Sequence, residues 1–290
     1  MGFIDAHVHV WTDDTAHYPL APGWKKEDMR PARFTPEDLF KHARPAGVDR
    51  FVLVQMSYYY PKDISSKIVY GLDNRYMLDM IALYKNVLVG TVVIDPYGEH
   101  PDRLMAELAK KRVRAFRIHP TLSKLPPARW LEPEGYTKMF AAGARNHQAL
   151  SCLIAPDAFP ELDRRCRQFP DTPVIIDHLG RIGADGTIRD KDVDTLCALA
   201  AHPRVMVKVG AFYALGQKKP PYTDLAPLIR KVVKAFGARR CMWESDCPFQ
   251  VVRDRYQDSI DLVRQRLDFL NAEEKDWILR RTAAEFFFKT

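Results

Sequence analysis

No stretch of the sequence is apolar over anything near the roughly 20 residues that a membrane helix needs, so a membrane is not expected as a partner. Cysteine is scarce: Cys152, Cys166, Cys197, Cys241 and Cys247 are odd in number and form no C-x-x-C. That usage argues against a disulfide framework and for free thiols in a reducing compartment. No secretory leader is read at the start, because a strand-like pattern begins at residue 3, and a cytoplasmic chain is expected. A Gly-rich phosphate turn (G-x-G-x-x-G) does not follow the first strand, and a G-x-S-x-G nucleophile elbow is missing. Charge leans positive, 44 Lys and Arg against 37 Asp and Glu, for a formal +7. These cations are scattered over helical stretches rather than massed, which points to a solvated surface or an anionic small substrate and away from nucleic acid.

What is present is a repeated alternation. The first ten residues, MGFIDAHVHV, read as a buried strand. Apolar strand-like runs follow at Arg50–Gln55, Val87–Asp95, Val113–His119, Ala149–Ala155, Pro173–His178, Arg204–Val209 and Cys241–Asp246. Between them lie stretches of helical period. Thr35-Pro36-Glu37-Asp38 opens the first, with Thr35 as cap, and Gly47 closes it. Others are expected over Asn74–Lys85, Pro101–Arg112, Glu134–His147, Phe159–Gln168, Asp190–Ala201, Asp224–Phe236 and Arg255–Leu267. Eight strand–helix pairs with near-continuous apolar strands fit an α/β fold of the (β/α)8 barrel type. An open doubly wound sheet is the alternative, but it would normally carry the missing Gly-rich turn. A further helix is expected over Ala272–Phe287, and no linker divides residues 1–290 into more than one domain.

Polar residues gather at the ends of these strands, where a parallel barrel concentrates function. The period of two places Asp5, His7 and His9 on one face of the first strand. Gln55 and Asp95 end the next two. Arg117 and His119 end strand four, strand five offers only Ser151 and Cys152, and Asp177-His178 ends strand six. Lys208 lies in strand seven, and Glu244-Ser245-Asp246 ends strand eight. An isolated core histidine would need no explanation, but charge at most strand ends does, because unpaired buried charge is costly. If His178 points inward, alternation sends Asp177 outward or to the rim. If Asp246 points inward, so do Glu244 and Met242. Glu244 then needs a cation, and Lys208 on the neighbouring strand is the expected partner.

Chemically the set comprises a carboxylate able to take a proton from water (Asp246), three imidazoles (His7, His9, His178) and two cations (Arg117, Lys208). The imidazoles suit a divalent metal or a carbonyl oxygen, and Arg117 can clamp a substrate carboxylate with two parallel hydrogen bonds. Such equipment suits addition of water to a polarised carbonyl: ester, lactone or amide hydrolysis. Tyr58, Tyr59 and Tyr60 are expected to line the entrance.

In that order, DAHVHVW, LVQMSYY with DNRYMLD, VVIDP, VRAFRI, VIIDHLG, VMVKVG and WESDCPF resemble the amidohydrolase-related branch of the amidohydrolase superfamily. The branch includes 2-pyrone-4,6-dicarboxylate lactonase and the sugar-acid and sulfomuconolactone lactonases. The resemblance implies the barrel and a hydrolase opening a carboxylated lactone. Asp246 and His178 would be catalytic, with His7, His9, Arg117, Lys208 and Tyr58 binding substrate. It also leaves two cofactor cases open: one divalent metal, zinc by the nature of the donors, on His7, His9, His178 and Asp246, or metal-free catalysis. Strand five, SCLIA, lacks the histidine most metal-binding members carry there, and Glu244 stands where the branch usually has glycine. Two other activities stay in view, a zinc-dependent non-oxidative decarboxylase and a metal-dependent deoxyribonuclease. A carboxylated small molecule is the expected partner, and self-association into a homo-oligomer is left open.

Overall fold

In the computed structural model, which describes residues 2–21, 23–56, 73–123 and 125–289, the apolar runs form one sheet. Its strands are β1 (Phe3–Val8), β2 (Val48–Val54), β3 (Leu88–Val92), β4 (Val113–Ile118), β5 (Ala149–Cys152), β6 (Val174–Ile176), β7 (Val205–Gly210) and β8 (Cys241–Glu244). They pair in parallel in sequence order. A parallel pair cannot be joined by a hairpin, so each crossover carries a helix. The first crossover shows how local sequence sets an element. Thr35 accepts the Asp38 amide and Asp38 accepts the Thr35 amide, Pro36 occupies the first turn, and Gly47 exits at φ 85°.

The sheet closes on itself. His9 N–H donates to Cys247 O at 2.7 Å and Asp246 N–H to His7 O at 3.0 Å, joining β1 to the end of β8. The result is a (β/α)8 barrel. Its inner lower layer takes residues from every strand: Ile4 and Ala6, Val52, Val89, Ala115, Ala149, Ile175, Met206 and Met242. Ala283 and Phe287 of the last helical segment pack on this layer and stop the N-terminal mouth, which gives the extra C-terminal helix its place. That segment alternates α-type turns with wider π-type ones at Trp277–Arg281 and Ala284–Phe288. Outside, the helices bury one stripe each; Ala226–Phe236 contributes Leu228, Ile229, Val232, Val233 and Phe236.

Several strands end sooner than their apolar runs suggest. β6 stops at Ile176 and β8 at Glu244, and the residues beyond leave the ladder with positive φ: 55° at His178 and 62° at Asp246. At β6 the period of two therefore does not carry through to His178, whereas Asp246 still shares the inward face with Glu244 and Met242. His17 and Trp24 of the long 11–34 connection lie at the surface, while Trp11 is buried, bridged to Phe34 and donating to Pro31 O at 2.9 Å.

Candidate active site

Above the apolar layer the barrel interior turns polar. β1 supplies His7 and, just past its end, His9. Asp5 does not join them, contrary to simple alternation. A register shift between Asp5 and Val8 breaks the period, and Asp5 faces outward, where its carboxylate accepts from Tyr256 O–H (2.7 Å), Ser245 N–H (2.9 Å) and His7 N–H (3.2 Å). It thereby fills the seam between β1 and β8. Burial outweighs those hydrogen bonds and pushes its pKa up to about 7.

His9 is fixed by its Nδ1–H, which donates to Val54 O at 2.8 Å; a carbonyl can only accept, so the proton is assigned to that nitrogen. Its Nε2 then faces Asp246 Oδ1 at 3.1 Å and His7 Nε2 at 3.3 Å. Arg117 Nη1 lies 3.1 Å from His7 Nε2. The other carboxylate oxygen of Asp246 accepts from Tyr213 O–H at 2.6 Å. Burial disfavours charge on Asp246, yet His178, His9 and His7 around it hold its carboxyl well below the usual range, so it is ionised. Burial and the Lys208 charge lower His7 to about 4.

The layer beneath departs from expectation in an informative way. Lys208 does not pair with Glu244. Its Nζ lies 3.0 Å from Asp177 Oδ1, and both side chains are fully buried. Asp177 follows Ile175 of the inner layer by the period of two and points inward, where it also accepts from Ser151 O–H at 2.8 Å; because β6 has already ended, His178 reaches the cavity as well instead of pointing away. With its cation taken, Glu244 faces histidines: Oε1 accepts from His178 Nδ1–H (2.7 Å) and His178 N–H (3.0 Å), and Oε2 lies 3.1 Å from His7 Nδ1. Burial opposes ionisation of Glu244, but His178 and His7 bring it down to about 2. For His178 burial again opposes the charged form, and the Glu244 and Asp246 carboxylates override it and raise the pKa. Lys208 and His7 are buried below the floor, so neither is on the cavity wall as a substrate contact.

The cavity above this floor measures about 430 Å3 and is lined by His9, Gln55, Arg117, His178, Arg181, Tyr213, Asp246, Phe249 and Arg253, among others. His9, Arg117, His178 and Asp246 thus meet as the sequence suggests. Tyr213, Arg181 and Arg253 come from short helical turns just past β7, β6 and β8, where composition gives no warning; a tyrosine three residues beyond Gly210 is the sole available sign of the first. His119 is buried and, by burial and the Arg117 charge, lowered to about 3. Tyr58, Tyr59 and Tyr60 lie outside the described residues.

The donor set fits a divalent cation. His7 Nε2, His9 Nε2 and Asp246 Oδ1 are 3.3, 3.1 and 3.7 Å apart. A tetrahedral zinc with ligands at about 2.0–2.1 Å has edges of about 3.4 Å. With His9 protonated on Nδ1, its Nε2 lone pair and the Asp246 oxygen point at each other, an arrangement that a proton or a metal ion must relieve. Cys152 is no further ligand: its thiol donates to Leu150 O at 3.7 Å, and burial raises it far above its ordinary value.

The chain belongs to the amidohydrolase family, whose profile, described as Amidohydrolase, matches residues 4–289. Among curated proteins it is 26% identical over 256 residues to L-fucono-1,5-lactonase of Burkholderia ambifaria, covering 88% of this chain and 83% of that one. It is 25% identical over 266 residues to 4-sulfomuconolactone hydrolase of Rhizobium radiobacter, covering 90% and 81%. In structure it resembles a probable 2-pyrone-4,6-dicarboxylic acid hydrolase of Acinetobacter baumannii solved with citric acid bound, with TM-score 0.76, 22% identity and 99% of both chains covered. An amidohydrolase of Burkholderia multivorans solved with bound zinc gives TM-score 0.77 at 18% identity, again over 99% of both chains. These structural likenesses show the fold. No helix among the described residues is long and apolar enough to cross a membrane.

Two outcomes check this geometry. Between the ordinary Asp value of 3.8 and about 7, the folded chain holds a proton on Asp5 that the unfolded chain has lost, so Asp5 makes stability fall as pH rises through that window. Asp5→Asn removes that dependence. Its denaturant midpoint relative to the unsubstituted chain should climb from pH 4 to pH 7 and then level; a flat or falling difference would refute the buried neutral carboxyl. Secondly, zinc added to metal-stripped protein should raise Tm by several degrees, and His9→Ala should abolish the shift. No shift in the unsubstituted protein would mean that Arg117 keeps cations out.

Proposed function

We propose that this amidohydrolase opens a lactone carrying one or more carboxylates. The observation that carries the reading is Asp246: an ionised carboxylate on the floor of the cavity, held by Tyr213 and sharing that cavity with the guanidinium of Arg117. Tyr213 occupies Oδ2, which leaves Oδ1 as the oxygen to take a proton from water. The water oxygen forms a bond to the lactone carbonyl carbon as the C=O pair moves onto oxygen. His178, fixed through Nδ1 and favoured as the imidazolium by Glu244 and Asp246, donates Nε2–H to that oxygen. Collapse of the tetrahedral intermediate breaks the ring C–O bond, and the proton on Asp246 passes to the departing oxygen, giving a hydroxy acid and restoring the carboxylate.

The anionic character of the substrate follows from the walls. Arg117, Arg181 and Arg253 line the cavity, and none is ion-paired to a carboxylate among the described residues. Guanidinium forks suit carboxylate recognition. Both curated relatives are named for action on lactones, which supports the same reaction class here. A divalent cation, with zinc suited to this nitrogen and oxygen set, would be held by His7, His9 and Asp246 with His178 adjacent. When bound it would supply Lewis-acid polarisation of the carbonyl. The proposed partner is a small molecule only.

The test is a panel of lactones bearing none, one or two carboxylates, followed by ring opening at neutral pH. Turnover should appear only with the carboxylated members. Asp246→Asn should lower kcat by about 10³-fold while Tm stays within a few degrees. Failure to open any carboxylated lactone, or activity retained in Asp246→Asn, would overturn the reading.

A further inference from the structure

Glu244 is the one carboxylate in the polar layer whose neighbours are all imidazoles: among the described residues it has no Lys or Arg within ion-pair distance. A fully buried charge without a cation is costly, so its retention asks for a function. Three features of its surroundings answer together. First, it spans an intervening strand. Glu244 is on β8 and His178 at the end of β6, with β7 between them. Second, β7 leaves room for the crossing. Gly210 is the register partner of Glu244, and a Cβ on it would lie 2.2 Å from Glu244 Cγ and 2.1 Å from Glu244 O. Gly210 has no left-handed φ to explain it; main chain and side chain of Glu244 both occupy the space a Cβ would take, and the side chain crosses through it.

Third, His178 is held where it would not otherwise stay. It stands in a left-handed run with Leu179, Gly180 and Arg181, a conformation that residues other than glycine rarely adopt. Its backbone N–H has left the ladder and donates to Glu244 Oε1, the same oxygen that takes its Nδ1–H. One carboxylate oxygen thus fixes both the main chain and the ring. Since that oxygen can only accept, Nδ1 of the ring carries a proton and Nε2 faces the cavity.

We infer that Glu244 is a positioning residue: it reaches across β7, over Gly210, to set the backbone turn and ring orientation of His178 for the reaction. The link to turnover rests on the lactone-hydrolysis reading; the link to ring orientation does not. A partner of this kind acting through another group typically contributes 10–100-fold.

Two variants and one spectrum test it. Glu244→Asp keeps the charge but is one methylene too short to cross β7, whereas Glu244→Gln keeps an oxygen at full reach without the charge. Glu244→Asp should lower kcat about 10–100-fold with KM nearly unchanged, and Glu244→Gln should keep a kcat at least about tenfold above it. Long-range 1H–15N spectra of the histidine rings, recorded without substrate, should show Nδ1 of His178 protonated in the unsubstituted protein and in Glu244→Gln, and a shift toward Nε2–H in Glu244→Asp. Equal losses in the two variants, a kcat in Glu244→Asp within twofold of the unsubstituted chain, or a bare Nδ1 on His178 would each overturn the inference. The spectrum of the unsubstituted protein decides the matter even if a variant does not fold. If no lactone is turned over, the functional reading fails while the ring-proton result still stands or falls by itself.

Discussion

Charge balance inside the barrel governs the rest of this structure. Three carboxylates, Asp177, Glu244 and Asp246, are enclosed with two basic side chains, Lys208 and Arg117, and each ionised group taken from water must be repaid by a close partner. Lys208 and Asp177 satisfy each other at 3.0 Å beneath the floor. That leaves Glu244 and Asp246 to be met by imidazoles, with Arg117 held off them on His7. One negative charge remains over, and a protonated His178 or a bound cation is what can absorb it. The reactive behaviour of the site is in this sense a consequence of what lies one layer below.

Backbone geometry converts that balance into a working surface. The sheet ends early at β6 and β8, and His178 and Asp246 follow with positive φ, a conformation that side chains other than glycine adopt only when their surroundings compel it. Here the compulsion is visible as hydrogen bonds: Glu244 to the His178 amide, His7 O to the Asp246 amide, and Tyr213 to the Asp246 carboxylate. Strain at the strand ends and the polar layer support one another. The apolar layer of Ile4, Val52, Val89, Ile175 and Met242 below, plugged by Phe287, gives them a rigid base.

Much of this is legible in the amino-acid order. Apolar runs at regular spacing give the barrel, and His-x-His with the polar strand ends locates the mouth at which His9, Arg117, His178 and Asp246 meet. What escapes is whatever depends on a strand ending or slipping. His7 parts from Asp5 because of a register shift after Asp5, and His178 enters the cavity beside an inward Asp177 because β6 ends at Ile176. Each reverses a prediction made from the period of two. The partner of Lys208 followed from that error, since Asp177 had been sent to the rim. Tyr213 was missed for another reason: it stands in a short helical turn just past β7, where no periodicity says which way a side chain points. Gly210 carried a signal that only pairing with Glu244 makes readable.

The account rests on Lys208 belonging to Asp177, so that Glu244 is free for the histidines. A double-mutant cycle on stability, using Lys208→Met with Asp177→Asn and Lys208→Met with Glu244→Gln, measures this directly. The first pair should couple by about 2–3 kcal/mol and the second, linked only through His7, by clearly less. Strong coupling between Lys208 and Glu244, with little between Lys208 and Asp177, would contradict it.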